Sequence, residues 1–108
     1  MSELQLGDTL EELTLKEVCE RCFVNAEQVI GLVEYGVVEP RGERYSEWRF
    51  SVTGYLRIRK ALRLQRDLSI NEAGVALAID LLDQLKSANE EIAYLRRRMR
   101  ALGEDIEG

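Results

Sequence analysis

Histidine is absent from the 108 residues. That absence alone excludes His-dependent catalytic triads, imidazole metal sites and imidazole proton relays. Cysteine is scarce: only Cys19 and Cys22 occur. A zinc site takes about four ligands, and no second cysteine pair is there to supply them. Their C-x-x-C spacing has a second reading. Leu15, Val18, Cys19 and Cys22 fall at i, i+3, i+4 and i+7, one stripe of a helix facing a core, so both thiols are expected to be packing groups. There is one proline, Pro40, and aromatics make up 6% of the chain. No run of about 18 uncharged apolar residues occurs, so no membrane-spanning helix is expected. The N-terminus lacks the basic flank and apolar stretch of a secretory leader, which points to a cytoplasmic protein.

What the chain does have is charge and helix signals. Charged residues make up 32%, with a net charge of −5. The charge comes in blocks: residues 1–36 carry net −6, 37–66 net +5, 67–93 net −5 and 94–108 net +1. Each block presents its own field to a partner.

Residues 1–13 alternate loosely and predict an irregular or short extended arm. Thr14-x-x-Glu17 is a capping box that starts a helix ending near Phe23, and Asn25-x-x-Gln28 starts a second, stopped by Gly36. Two short helices joined by about three residues form a helix-turn-helix. Residues 37–50, with Pro40 and the alternating Trp48-Arg49-Phe50, predict a small β-hairpin, a wing. Phe50 is expected in the core; Trp48 reads either as core or as an interface anchor. Ser51 caps a third helix, about 52–67, and Ser69-x-x-Glu72 has the signature that starts a fourth.

The fourth helix carries the clearest pattern. Ala78, Leu81, Leu85, Ala88, Ile92, Leu95, Met99 and Leu102 repeat at 3-4 spacing through four heptads. From about Ser87 the stripe is narrow and flanked by charge. It predicts a homodimer interface built on Leu81, Leu85, Ile92, Leu95, Met99 and Leu102. The other arrangement is a bend near Lys86–Asn89 that folds the end back on its own domain. The organisation is then an arm (1–13), a winged helix-turn-helix (14–70), a dimerisation helix (71–102) and a tail (103–108). The fold class is mainly α.

Two function classes fit poorly. The eight glycines are scattered, no phosphate-cradling loop is present and no nucleophile has a general base in a recognisable motif, so no enzyme and no cofactor are expected. Sequence-specific DNA binding would place the second helix in the major groove. That helix holds no Lys or Arg, and Glu27, Gly31 and Glu34 fall on its outer face, where carboxylates repel phosphate.

The order helix-turn-helix, wing, helix, long helix resembles the MerR-like winged-helix architecture. The elements Gly36-Val37-Val38-Glu39-Pro40, Trp48-x-Phe50, Arg63-Leu64-x-x-Asp67-Leu68 and Gly74-Val75-Ala76-Leu77-Ala78-Ile79-Asp80-Leu81-Leu82-Asp83 carry a more specific likeness. Over about residues 13–102 the chain is similar to the chaperone-modulator CbpM family. The resemblance implies a protein that binds the J-domain of a CbpA/DnaJ-like co-chaperone. It implies inhibition of that partner's work with the Hsp70 chaperone DnaK and of its DNA binding, without catalysis or cofactor. J-domains of this class carry a basic second helix, so an acidic surface is the expected contact. The candidates are Glu17, Glu20, Glu27 and Glu34, with Asp80 and Asp83 as a rival location. A MerR-like DNA-binding transcriptional regulator is the alternative.

Overall fold

The computed structural model describes residues 11–103. Most of the expected arm therefore lies outside the described residues, as does most of the tail. Two compact units divide the chain, and the division falls after Leu77.

The first unit begins with strand β1, Glu12–Thr14, which runs into helix α1, Leu15–Cys22. Thr14 caps α1 as the sequence indicates. Its hydroxyl accepts the Glu17 N–H at 3.1 Å, and the Glu17 carboxylate accepts the Thr14 N–H at 2.9 Å. Helix α2, Ala26–Glu34, repeats the device with Asn25 and Gln28 at 3.0 and 3.1 Å. Both boxes satisfy N–H groups that a helix start leaves without partners. α1 ends in a left-handed residue, Phe23, at φ 59°. Its N–H and that of Val24 both return to the Cys19 carbonyl. After α2, Gly36 takes φ +78°, which lets the Val37 N–H turn back to the Leu32 carbonyl at 2.9 Å.

The wing is minimal. Arg41 and Arg49 exchange both backbone hydrogen bonds at 2.9 Å, closing a loop that contains a 3-10 turn, Tyr45–Glu47. Strand β2, Arg49–Ser51, finds its longer partner elsewhere. It pairs antiparallel with β1, matching Leu13 with Phe50. The expected arm thus contributes a strand to the sheet beside the wing. Arg41 reinforces this arrangement through a forked ion pair to Glu12, whose second arm, Nε to Oε2, measures 3.1 Å.

Helix α3, Val52–Leu68, starts at Ser51, whose hydroxyl accepts the Gly54 N–H at 3.0 Å. It packs on β1, β2 and α2. The core of this unit holds Leu13, Val18, Val29, Leu32, Val37, Val38, Trp48, Phe50, Ile58, Ala61 and Val75. Trp48 belongs to that core, since it is buried and meets Tyr45 and Phe50 edge to face at 4.9 and 5.9 Å.

Helix α4, Glu72–Ala101, spans the division between the units. Ser69 does not start it. Ser69 sits at φ 56° and ends α3, and Asn71 is the cap, accepting the Gly74 N–H at 2.9 Å. The chain must reverse between the helices, and the left-handed Ser69 supplies that reversal. α4 runs without a break through Lys86–Asn89. The last heptad residue, Leu102, lies one position past the helix end.

Hydrogen bonding from Arg41 holds the Glu12 carboxyl below its ordinary 4.5, and the Thr14 backbone does the same for Glu17. A carboxyl depressed by folding stabilises the native state above its unfolded pKa. That contribution is lost as pH falls through the folded value. Unfolding midpoints are therefore expected to decline as pH is lowered below about 4.5. In a Glu12→Gln variant the decline should be shallower; an identical profile would remove Glu12 from the account.

Candidate functional site

Carboxylates define the outer face of the helix-turn-helix. Glu27 and Glu34 are exposed on α2, two turns apart, and neither takes part in an ion pair or side-chain hydrogen bond within the described residues. The residue between them, Gly31, is half-buried, with the Glu72 side chain over it. A Cβ at Gly31 would stand 3.1 Å from the Glu72 Cγ and 3.3 Å from its Oε2. The start of α4 thus places a third carboxylate on this face. Nothing in the local sequence marks Glu72 as part of it. Its position follows from packing α4 against the side of α2 where glycine leaves room.

Glu17 and Glu20 are both exposed on α1, but they differ in what they do. The Glu17 carboxylate is engaged by the Thr14 N–H, so it serves the helix start. Glu20 projects its charge beside Cys19. Burial pushes the Cys19 thiol up, and Glu20 acts in the same direction. The Cys22 thiol is raised mainly by burial as well, with Arg59 opposing. Raised thiols are poor nucleophiles and poor metal ligands at neutral pH. The two cysteines are free and half-buried on the stripe that carries Val18 into the core. Among the described residues no group of three or more Cys, Asp or Glu is placed to hold a metal ion.

Beside the α1–α2 turn lies an apolar groove of about 440 Å³, bounded by Leu15, Cys19, Val24, Ala26 and Tyr45. An acidic face next to an apolar groove suits a protein partner with basic and apolar groups side by side. α2 offers no cation for phosphate, and the groove's lining adds one, Lys16.

The second unit presents a separate surface. Leu81, Leu85, Ile92, Leu95 and Met99 along α4, and Leu102 just past its end, are all exposed, from 37% at Met99 to 74% at Leu102. Shallow apolar hollows lie beside Leu85 and Ala93 and beside Tyr94 and Leu102. Asp80 and Asp83 are exposed, and Asp80 accepts a hydrogen bond from Gln84 at 2.9 Å. The two acidic sets therefore belong to different units of the chain. No helix among the described residues is long and apolar enough to cross a membrane.

Comparison with known proteins places this architecture. The family model described as MerR HTH family regulatory protein matches residues 13–97. The chain is 33% identical over 88 residues to the chaperone modulatory protein CbpM of Pseudomonas entomophila (strain L48), covering 82% of this chain and 87% of that protein. It is 35% identical over 88 residues to the CbpM of Pseudomonas putida (strain GB-1), with the same coverage. The CbpM of Coxiella burnetii (strain Dugway 5J108-111) is 32% identical over 85 residues, 79% of this chain and 80% of that protein. Helix-turn-helix, abbreviated wing and long C-terminal helix fall within these matches, and the chain belongs to the chaperone modulatory protein CbpM family.

Proposed function

We propose that this protein is a cytoplasmic, homodimeric chaperone modulator that binds the J-domain of a CbpA/DnaJ-like co-chaperone and inhibits its co-chaperone and DNA-binding activities. The observation that carries the reading is the outer face of α2. In a helix-turn-helix of MerR type it is the face that would meet DNA, and here it is acidic, with Glu27, Glu34 and the overlying Glu72. Such a surface attracts a basic protein helix, steers its approach and fixes its register. The contact proposed is the basic Hsp70-docking surface of the J-domain, which the modulator would cover. Glu20 extends the acidic set on α1; Glu17 adds charge while holding its cap. The MerR-type match supports a second reading, regulation of transcription through DNA, against which stands the absence of any Lys or Arg from α2.

Titration of a J-domain with wild type, Glu27→Lys/Glu34→Lys and Asp80→Lys/Asp83→Lys separates the acidic sets. The first pair is expected to weaken affinity by about tenfold or more, and wild-type association should slow as salt rises. If only the second pair matters, the contact lies on the first turns of the second unit. No binding of a J-domain by the wild type would reject the reading.

A further inference from the structure

Phe23 is the most exposed large hydrophobic residue described, at 92%, and it occupies a left-handed position that ordinarily goes to glycine or asparagine. It therefore adds nothing to the core and strains the backbone. Such an outlier points to a use outside folding.

Its surroundings say what that use is. A hollow of about 270 Å³ is lined by Arg21, Arg59, Arg63 and Arg66 with Leu62. A second hollow of about 520 Å³ is lined by Val24, Gln28, Leu62, Gln65 and Arg66. Phe23 lines both hollows. Arg21 and Arg59 share one ring: their guanidinium carbons sit 6.0 and 5.8 Å from the Tyr55 centroid. That contact holds both side chains near the pocket without using their N–H donors. Arg21, Arg59 and Arg63 make no ion pair or hydrogen bond among the described residues. Arg66 has only an exposed contact to Asp67 at 3.6 Å, which is worth little. Several unused guanidinium forks thus flank one projecting aromatic ring.

We infer that this pocket is a docking site for an acidic segment of a partner protein in which carboxylates lie beside large apolar side chains. Arginine forks match carboxylates two bonds at a time, and Phe23 with the two hollows it lines receives the apolar groups. A single-stranded nucleic acid shares the need for cations and an aromatic ring. It is disfavoured because the arginines are confined to one pocket instead of tracking a backbone. The inference rests on Phe23 and the arginines, not on Glu27, Glu34 and Glu72, and does not depend on the J-domain reading.

The test is fluorescence anisotropy of the full chain with a labelled short peptide of alternating glutamate and leucine. Its counterparts are the same peptide with glutamine for glutamate and a short oligothymidylate. The acidic peptide should bind, and the glutamine peptide should bind about tenfold more weakly or not at all. Arg63→Glu should abolish binding; Arg63 is exposed and makes no internal bond that its loss would break. Phe23→Gly should weaken binding about tenfold while leaving the unfolding midpoint unchanged or higher. The inference is overturned if the acidic peptide does not bind, if either variant binds it as well as wild type does, or if oligothymidylate binds more tightly than the peptide.

Discussion

Replacing Leu85 and Ile92 with Asp is expected to break the proposed homodimer into monomers. Both residues are exposed on the apolar stripe of α4, 56% and 47% respectively, in the same heptad position. Burying each leucine or isoleucine of such a seam contributes about 1.5–3 kcal/mol. A carboxylate there costs several kcal/mol because it has no partner in the interface. The two substitutions reverse the sign of the association at both central turns. The helix itself should persist, since the changed positions face solvent in the isolated chain. Light scattering checks the state, and circular dichroism checks the helix. A monomeric parent chain would show that the stripe serves a different protein.

The largest expected loss of stability follows Phe50→Ala. Phe50 is 1% exposed, stands opposite Leu13 across the strand pair and meets Trp48 edge to face. Truncating such a residue costs about 3–5 kcal/mol. A domain of this size holds about 5–15 kcal/mol, so the variant should unfold at a much lower urea concentration or temperature. The chain's other phenylalanine should behave oppositely. Phe23→Gly removes an exposed ring from a left-handed position and is expected to gain about 1 kcal/mol. Denaturant unfolding of the two variants side by side checks both signs. A loss under about 1 kcal/mol at Phe50 would mean the core collapses around the gap more readily than its packing suggests.

Helix starts were legible because their signals are local. Thr14, Asn25 and Ser51 each hold a side-chain acceptor within three residues of the N–H it satisfies. Phe50 and Val18 were legible as core from periodicity. Ser69 misled because Ser-x-x-Glu is a valid cap signature, yet the backbone needs a left-handed residue there to reverse between helices. Asn71, two residues on, takes the cap instead. The pairing of Glu12–Thr14 with Arg49–Ser51 was not legible, because no periodicity within either strand names its partner. Glu72 entered the acidic face for a similar reason: a helix from elsewhere in the chain fits where Gly31 has no Cβ. Neither charge pattern nor spacing could identify Phe23, whose exposure is a property of the folded turn.

The pairing of β1 with β2 has a kinetic consequence. These strands stand at opposite ends of the helix-turn-helix and wing, so their pairing must close the whole intervening chain. Loop closure of that length is costly until the intervening helices have condensed and shortened it. The capped helices α1 and α2 can form from neighbouring residues, whereas the sheet must wait for them. Interactions made after the rate-limiting step act on unfolding and leave the folding rate nearly unchanged. The Leu13–Phe50 rung and the Arg41–Glu12 fork are then expected to work as a latch, acting on how long the native state lasts more than on how quickly it is reached; a slowed folding rate in Phe50→Ala would place the pairing before the barrier.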